Sequence, residues 1–397
     1  MPFVLNCIGI VVVFGLAYLG SMDRKRIDAL SLLIMFVLQL IATWIMLSTA
    51  IGQRIIQAVS DFFLWLLDCS MSGIQFVFGN LAGGADIPFF ISVLMPIIFI
   101  VVFFDILTFF GILPAIINTI GWILSKLTRT PRFESFFATQ VMFLGNNEVL
   151  AITREQLARM SNQRLLTCCM LGMSCISVSV LGGYMQLINP TYVLMAIPLN
   201  AIGALIMTSI MNPYKVSKEE NVVYKRTAAE RRNFFDVITA SMLTGGKLAL
   251  IIAAALMGFT ALIACINSIL GLFHDRLTLE NVFAVVFSPF AYLMGVPPVK
   301  VFTVAQFMGE KLATNEFVAM GHLSPILPTL DKHTEAVISS FLVSFCNFST
   351  VGIILGSVKA LFDQEKTSFV AAQTWRLLAS GLLVSFLTAM VVGLFVW

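Results

Sequence analysis

Two glutamates stand inside apolar runs beside amides. Glu148 follows Gly145, Asn146 and Asn147 in the stretch PRFESFFATQVMFLGNNEVLAIT (131–153), and Glu316 follows Thr314 and Asn315 in the stretch 299–330. An ionisable group at membrane depth costs at least about 2.5–3.5 kcal/mol and persists mainly where it has a function. A carboxylate accepts from hydroxyls, and an amide both donates and accepts. Glu148 and Glu316 with Asn146, Asn147, Asn315 and Asn347 therefore suit a neutral, polyhydroxylated solute. Any one of these asparagines also reads as the cap of a broken helix. Phe345 and Val180 offer apolar contact to a ring, although each alone reads as core. Asp105, Glu134 and Glu310 are further carboxylates in or near apolar runs. Asp105 lies close enough to the end of its run to reach water.

Backbone breaks at membrane depth are tolerated only where they are buried in protein or line a cavity. Both stretches therefore predict re-entrant helical hairpins with polar tips near the midplane. They also repeat: NEVLAI at 147–152 matches NEFVAM at 315–320 at a shift of 168, and ISVSVLG at 176–182 matches CNFSTVG at 346–352 at a shift of 170. Two blocks in the same order are the mark of an internal repeat.

The rest of the chain must hold these tips in lipid. Of its 397 residues, 59% are hydrophobic and 11% charged, against roughly 25% charged in soluble domains. A net charge of +3 leaves no basic face for nucleic acid. Stretches long enough to cross about 30 Å of hydrocarbon are 3–19, 29–51, 87–113, 165–188, 191–212, 246–272, 335–358 and 373–397. The first has no basic residue before it and Arg24, Lys25 and Arg26 after it, the reverse of a signal peptide. An N-terminus outside puts 19 of the 24 basic residues in inner loops and span ends, leaving Arg54, Arg276, Lys300, Lys311 and Lys332. The positive-inside rule thus predicts both termini outside. Three spans separate the hairpins, an odd number, so the second repeat is inverted against the first, as in many secondary transporters.

The fold class expected is an all-α polytopic membrane protein: eight transmembrane helices and two re-entrant hairpins in inverted repeats, with interfacial helices. The segment 53–70, apolar on one face, predicts a helix lying in the interface. The segment 280–297 is read the same way, because a span there would carry Lys359, Lys366 and Arg376 outside. The expected divisions are 1–113 (spans, interfacial helix and third span), 114–213 (first repeat), 214–245 (cytoplasmic connection and interfacial helix), 246–298 (sixth span and interfacial segment) and 299–397 (second repeat). The seven cysteines have no CxxC spacing and read as small hydrophobes. His274, His322 and His333 fall in expected loops without ligand spacing, so no metal site is expected. A His pair, a GxSxG elbow and paired midplane aspartates are all lacking, which argues against an intramembrane enzyme. The paired hairpins argue against a simple pore.

With these motifs assembled, the chain resembles the concentrative nucleoside transporter family, in its bacterial proton-coupled branch, over nearly its whole length. The carriers are Gly145-Asn-Asn-Glu148, the stretch Ser179 to Tyr184, Asn315 to Ala319 and Asn347 to Gly352. The resemblance implies a homotrimer in the plasma or inner membrane. In each protomer a scaffold would hold a mobile transport domain made of the hairpins and the interrupted fourth and seventh spans, working by an elevator-like alternation without a cofactor. It implies that Gly145, Asn146, Asn147, Glu148, Val180 and Phe345 face the base, and that Glu316, Asn347 and Thr350 hold the ribose.

Three departures from the family pattern matter. The first tip commonly reads Gly-Gln-Thr/Ser-Glu, and the shorter asparagines here leave more room for a two-ring base, which favours purine nucleosides. Sodium-coupled members carry an Asn and a hydroxyl residue where Val141 and Cys175 stand. A hard cation wants oxygen ligands, so proton coupling is expected, with Glu148 or Glu316 as carrier. Thr350 replaces a common Ser and keeps the hydroxyl. Sodium coupling, a pyrimidine preference and another neutral solute, such as a sugar or free nucleobase, remain the alternatives.

Overall fold

The computed structural model describes residues 2–84, 87–217, 220–223, 233–274 and 277–396, without the side chain of Asn147. Among them there are helices and turns and no strand. The helices are α1 (Pro2–Leu19), α2 (Ala29–Ser48), α3 (Ala50–Phe78), α4 (Pro96–Phe109), α5 (Ile112–Thr128), α6 (Arg132–Leu144), α7 (Asn146–Ile152), α8 (Arg154–Arg159), α9 (Asn162–Ser174) and α10 (Leu181–Leu187). They continue as α11 (Pro190–Met211), α12 (Phe234–Gly271), α13 (Leu279–Leu293), α14 (Pro298–Ala313), α15 (Glu316–Leu323), α16 (Lys332–Leu342), α17 (Phe348–Leu361), α18 (Gln364–Ala372) and α19 (Thr374–Gly393).

Eight stretches are long and apolar enough to cross a membrane: α1, α2, Ala50–Ala82, Phe90–Phe109, Asn162–Leu187, α11, α12 and α19. Seven coincide with expected spans. The eighth expected span, 335–358, is divided into α16 and α17. Its place on length and apolarity is taken by α3, which holds the segment 53–70 expected in the interface. Arg54, Gln57, Asp61 and Asp68 form an exposed polar stripe along α3, while Ile56, Phe63, Leu66 and Ile74 are buried. The polar stripe is what the interfacial expectation rests on, while exposed Ile55, Trp65 and Phe76 and the length of the helix are equally those of a span.

Two other expectations change. The 214–245 connection was expected to end in a separate interfacial helix, but residues from Phe234 join the sixth span in one 38-residue helix, about 57 Å long. No proline stands within it, so nothing in the backbone stops the helix at 246. Much of 214–232, including Lys218, Lys225, Arg226, Arg231 and Arg232, lies outside the described residues, as does Arg276. Neither His322 nor His333 is in a loop: His322 is in the last turn of α15, and His333 is buried in α16 with ring nitrogens 2.8 and 2.9 Å from the carbonyls of Val396 and Met294. The segment 280–297 contains only the 15-residue α13, too short to span.

Burial separates an inner from an outer set. The Asn162–Leu187 stretch is 94% buried over its apolar window and α11 89%, whereas α12 is 11% buried and α2 22%. Leu33, Trp44, Leu250 and Met257 are among the exposed apolar side chains of the outer helices, as a lipid-facing surface requires. Both inner sets follow one order: a bent pair (α6–α7, α14–α15), a broken pair (α9–α10, α16–α17) and a long helix (α11, α19). Three apolar stretches of spanning length lie between the two bent pairs, which inverts the second against the first.

Candidate functional site

The site is made of four helix breaks. Helix α6 ends because Gly145 takes φ 91° and ψ 166°, a conformation closed to side chains with a Cβ. A Cβ there would stand 2.9 Å from Glu148 Oε2. Helix α14 ends where the Thr314 hydroxyl donates to the Glu310 carbonyl at 2.6 Å. Asn315 then runs extended, and its Oδ1 accepts from Val318 N at 3.1 Å, capping α15. The fourth span opens after Ser174, and Ser177 Oγ lies 2.6 Å from Ser179 Oγ. The seventh opens after Leu342 and resumes at Asn347, whose Oδ1 accepts from Thr350 N at 2.7 Å.

These breaks meet around a cavity of about 190 Å³. Of the nine expected binding residues, Gly145, Asn146, Glu148, Val180, Glu316, Phe345, Asn347 and Thr350 line it. The side chain of Asn147 lies outside the described residues. Asn146, Glu316 and Asn347 are buried, while Glu148 is exposed.

Glu316 is the best-braced group in the cavity. Tyr184 donates its hydroxyl to Oε1 at 2.7 Å and Asn347 donates Nδ2 to Oε2 at 3.0 Å. A carboxylate has about four acceptor sites, so two bonds fix it and still leave capacity for substrate hydroxyls. Asn347 is at once cap and brace, because Oδ1 holds α17 while Nδ2 holds Glu316. The Tyr184 ring packs on Phe317, centroids 4.7 Å apart.

The remaining carboxylates are employed elsewhere. Glu134 forms a buried two-point pair with Arg164 (2.6 and 3.0 Å) and accepts from Tyr214 at 2.8 Å. Glu310 pairs with His322 at 2.5 Å. Asp105 accepts from Ser241 at 2.5 Å. Val141 is buried within α6 and Cys175 at the start of the α9 break, so neither presents an oxygen side chain. Among the described residues, no group of three His, Cys, Asp or Glu could hold a metal.

Sequence reasoning missed one wall. Leu248, Ile251, Ile252 and Ala255 of α12 line the cavity together with the tips. Nothing in their composition distinguishes them from lipid-facing residues. Tyr184 had a signal only as the last residue of the Ser179-to-Tyr184 motif, without a role. Lys311, left among the outer charges, is wholly buried in α14.

Comparison with known proteins agrees with this geometry. Residues 8–81 match the family described as Na+ dependent nucleoside transporter N-terminus, 90–191 a nucleoside recognition (gate) domain, and 192–393 Na+ dependent nucleoside transporter C-terminus. The chain is 47% identical to the purine nucleoside transport protein NupG of Bacillus subtilis, over 100% of both chains. It is 30% identical to the putative nucleoside permease NupX of Escherichia coli, over 100% of this chain and 99% of that one. A structure of CNTnw in an inward-facing substrate-bound state superposes with a TM-score of 0.92 at 26% identity, covering 100% of this chain and 98% of that chain.

Proposed function

The chain belongs to the concentrative nucleoside transporter family, is a multi-pass membrane transporter and not an enzyme, and from that premise we propose that it is a proton-coupled importer favouring purine nucleosides. The observation that carries the reading is the cavity itself. It places Glu316, braced by Tyr184 and Asn347, beside Glu148, Asn146 and Phe345. Glu316, Asn347 and Thr350 would hold the ribose hydroxyls. Gly145, Asn146, Asn147, Glu148, Val180 and Phe345 would face the base.

Proton coupling is supported by Val141 and Cys175, whose side chains offer no hard-cation ligand, and by two intramembrane glutamates able to carry a proton. The purine preference is supported by the short asparagine tip and by the likeness to the purine nucleoside transport protein of Bacillus subtilis. Alternating access follows the inverted repeats. The inner set would move as the transport domain against an outer scaffold, in a homotrimer with both termini outside.

The test is uptake of inosine and uridine into proteoliposomes under an imposed proton or sodium gradient, for wild type and Glu316→Gln. Saturable, proton-driven inosine uptake lost in the variant is expected. Sodium-driven uptake indifferent to pH would refute the coupling, and a preference for uridine would refute the purine assignment.

A further inference from the structure

Lys311 is a buried charge for which the site as described has no task. It stands near the end of α14, five residues before Glu316 and across the break from it, and is 0% exposed. Its Nζ donates to the Phe341 carbonyl at 2.6 Å, to Ser344 Oγ at 2.7 Å and to Ser385 Oγ at 3.2 Å. It also lies 4.5 Å from the centroid of the Phe341 ring. An ammonium has three N–H groups, and here neutral acceptors take all three. No carboxylate among the described residues comes within ion-pair distance of it.

Burying an ammonium without a counter-ion is costly, and an apolar side chain would fill the space more cheaply. What the three bonds join gives the reason. Phe341 and Ser344 flank the opening of the seventh span, where Val343 has left helical geometry. That opening carries Phe345 and Asn347 into the cavity. Ser385, on α19, is itself 2.7 Å from Ser344. The ammonium thus ties three elements together at the point where the backbone has lost its own ladder.

We propose that Lys311 is a positioning residue for the sugar side of the site. By clamping the α16–α17 opening to the second hairpin it sets Asn347 Nδ2 on the Glu316 carboxylate. The inference rests on the nucleoside reading of the cavity. A clamp of this kind acts on the ribose hydroxyls through Asn347, which bonds Glu316 directly, and on the base only through the apolar contact of Phe345 in the same opening.

The experiment is competition uptake into proteoliposomes with inosine, 3′-deoxyinosine and uridine, for wild type, Lys311→Met and Ser344→Ala. Wild type is expected to prefer inosine to its 3′-deoxy analogue. Lys311→Met should shrink that preference by about fivefold, as for loss of an ordinary hydrogen bond, a larger change than in the inosine-to-uridine ratio. A residue needed only for folding would lower uptake of all three alike. If Lys311→Met does not reach the membrane, Ser344→Ala, which removes one acceptor and keeps the charge, decides by the same ratio. An unchanged inosine-to-deoxyinosine ratio overturns the clamp alone. Wild-type protein that takes up none of the three overturns the nucleoside reading together with it.

Discussion

Tyr184 donates its phenolic hydrogen to Glu316 at 2.7 Å across 132 residues of chain, joining the resumed half of the fourth span to the first residue of α15. The first repeat thereby orients the buried carboxylate of the second. An inverted-repeat carrier needs such a tie if the two halves of the site are to move together.

Tyr184→Phe tests that tie. The ring would still pack on Phe317, so the loss is confined to one hydrogen bond to a carboxylate, about 1.5 kcal/mol or roughly tenfold in apparent affinity. Uptake kinetics should show a raised KM for nucleosides, with protein levels in the membrane near wild type. An unaltered KM would show that Asn347 alone suffices to hold Glu316.

Gly145→Ala should abolish or sharply reduce uptake. The backbone there is in glycine-only territory, costing about 1–3 kcal/mol for another residue, and the added methyl would press on Glu148 Oε2 at 2.9 Å. Gly258→Ala in α12, where a Cβ meets nothing within 4 Å, is the matched control and should transport normally.

Glu134→Gln should behave as a folding defect. Its pair with Arg164 is buried, with side chains 2% and 5% exposed, and removing one partner of such a pair costs about 3–5 kcal/mol. Thermal melting in detergent should show the drop, while the protein that does reach the membrane keeps its wild-type KM. A large KM change with unchanged melting would return Glu134 to the binding site.

Asp28 supplies an acid-sensitive element outside the spans. It caps α2, and the Ser31 hydroxyl at 2.9 Å, followed by the Ser31 amide at 3.3 Å, holds its carboxyl below the ordinary value. A depressed folded value adds stability above the unfolded value of about 3.9 and loses it as pH falls through the folded one. Asp28→Ala should therefore melt lower than wild type near neutral pH, with the two melting curves converging below about pH 4. Parallel curves down to low pH would remove the cap from the account.

The sequence by itself determined the breaks. Gly145 to Glu148 and Thr314 to Glu316 are polar interruptions in runs that lipid would otherwise claim, and desolvation makes such interruptions legible without any coordinates, whereas the openings around Ser177 and Asn347 lie in stretches that read as whole spans and were implied only by the family resemblance. The repeat was legible for the same reason, since both halves must solve one problem twice. Element ends were harder: α12 absorbed an expected interfacial helix because amphipathic and fully apolar turns join without a change in backbone.

Only the tertiary structure decided which groups meet. The Tyr184–Glu316 bond, the Lys311 clamp and the Glu134–Arg164 pair join residues 30 to 132 positions apart, distances at which no local pattern records a partner. It likewise sorted the carboxylates, sending Glu134, Glu310 and Asp105 to other partners and leaving Glu148 and Glu316 in the cavity. The α12 wall lay beyond the reach of sequence for a simpler physical reason. Leu248, Ile251, Ile252 and Ala255 are as apolar as residues that face lipid, and only packing tells which apolar surface closes a site.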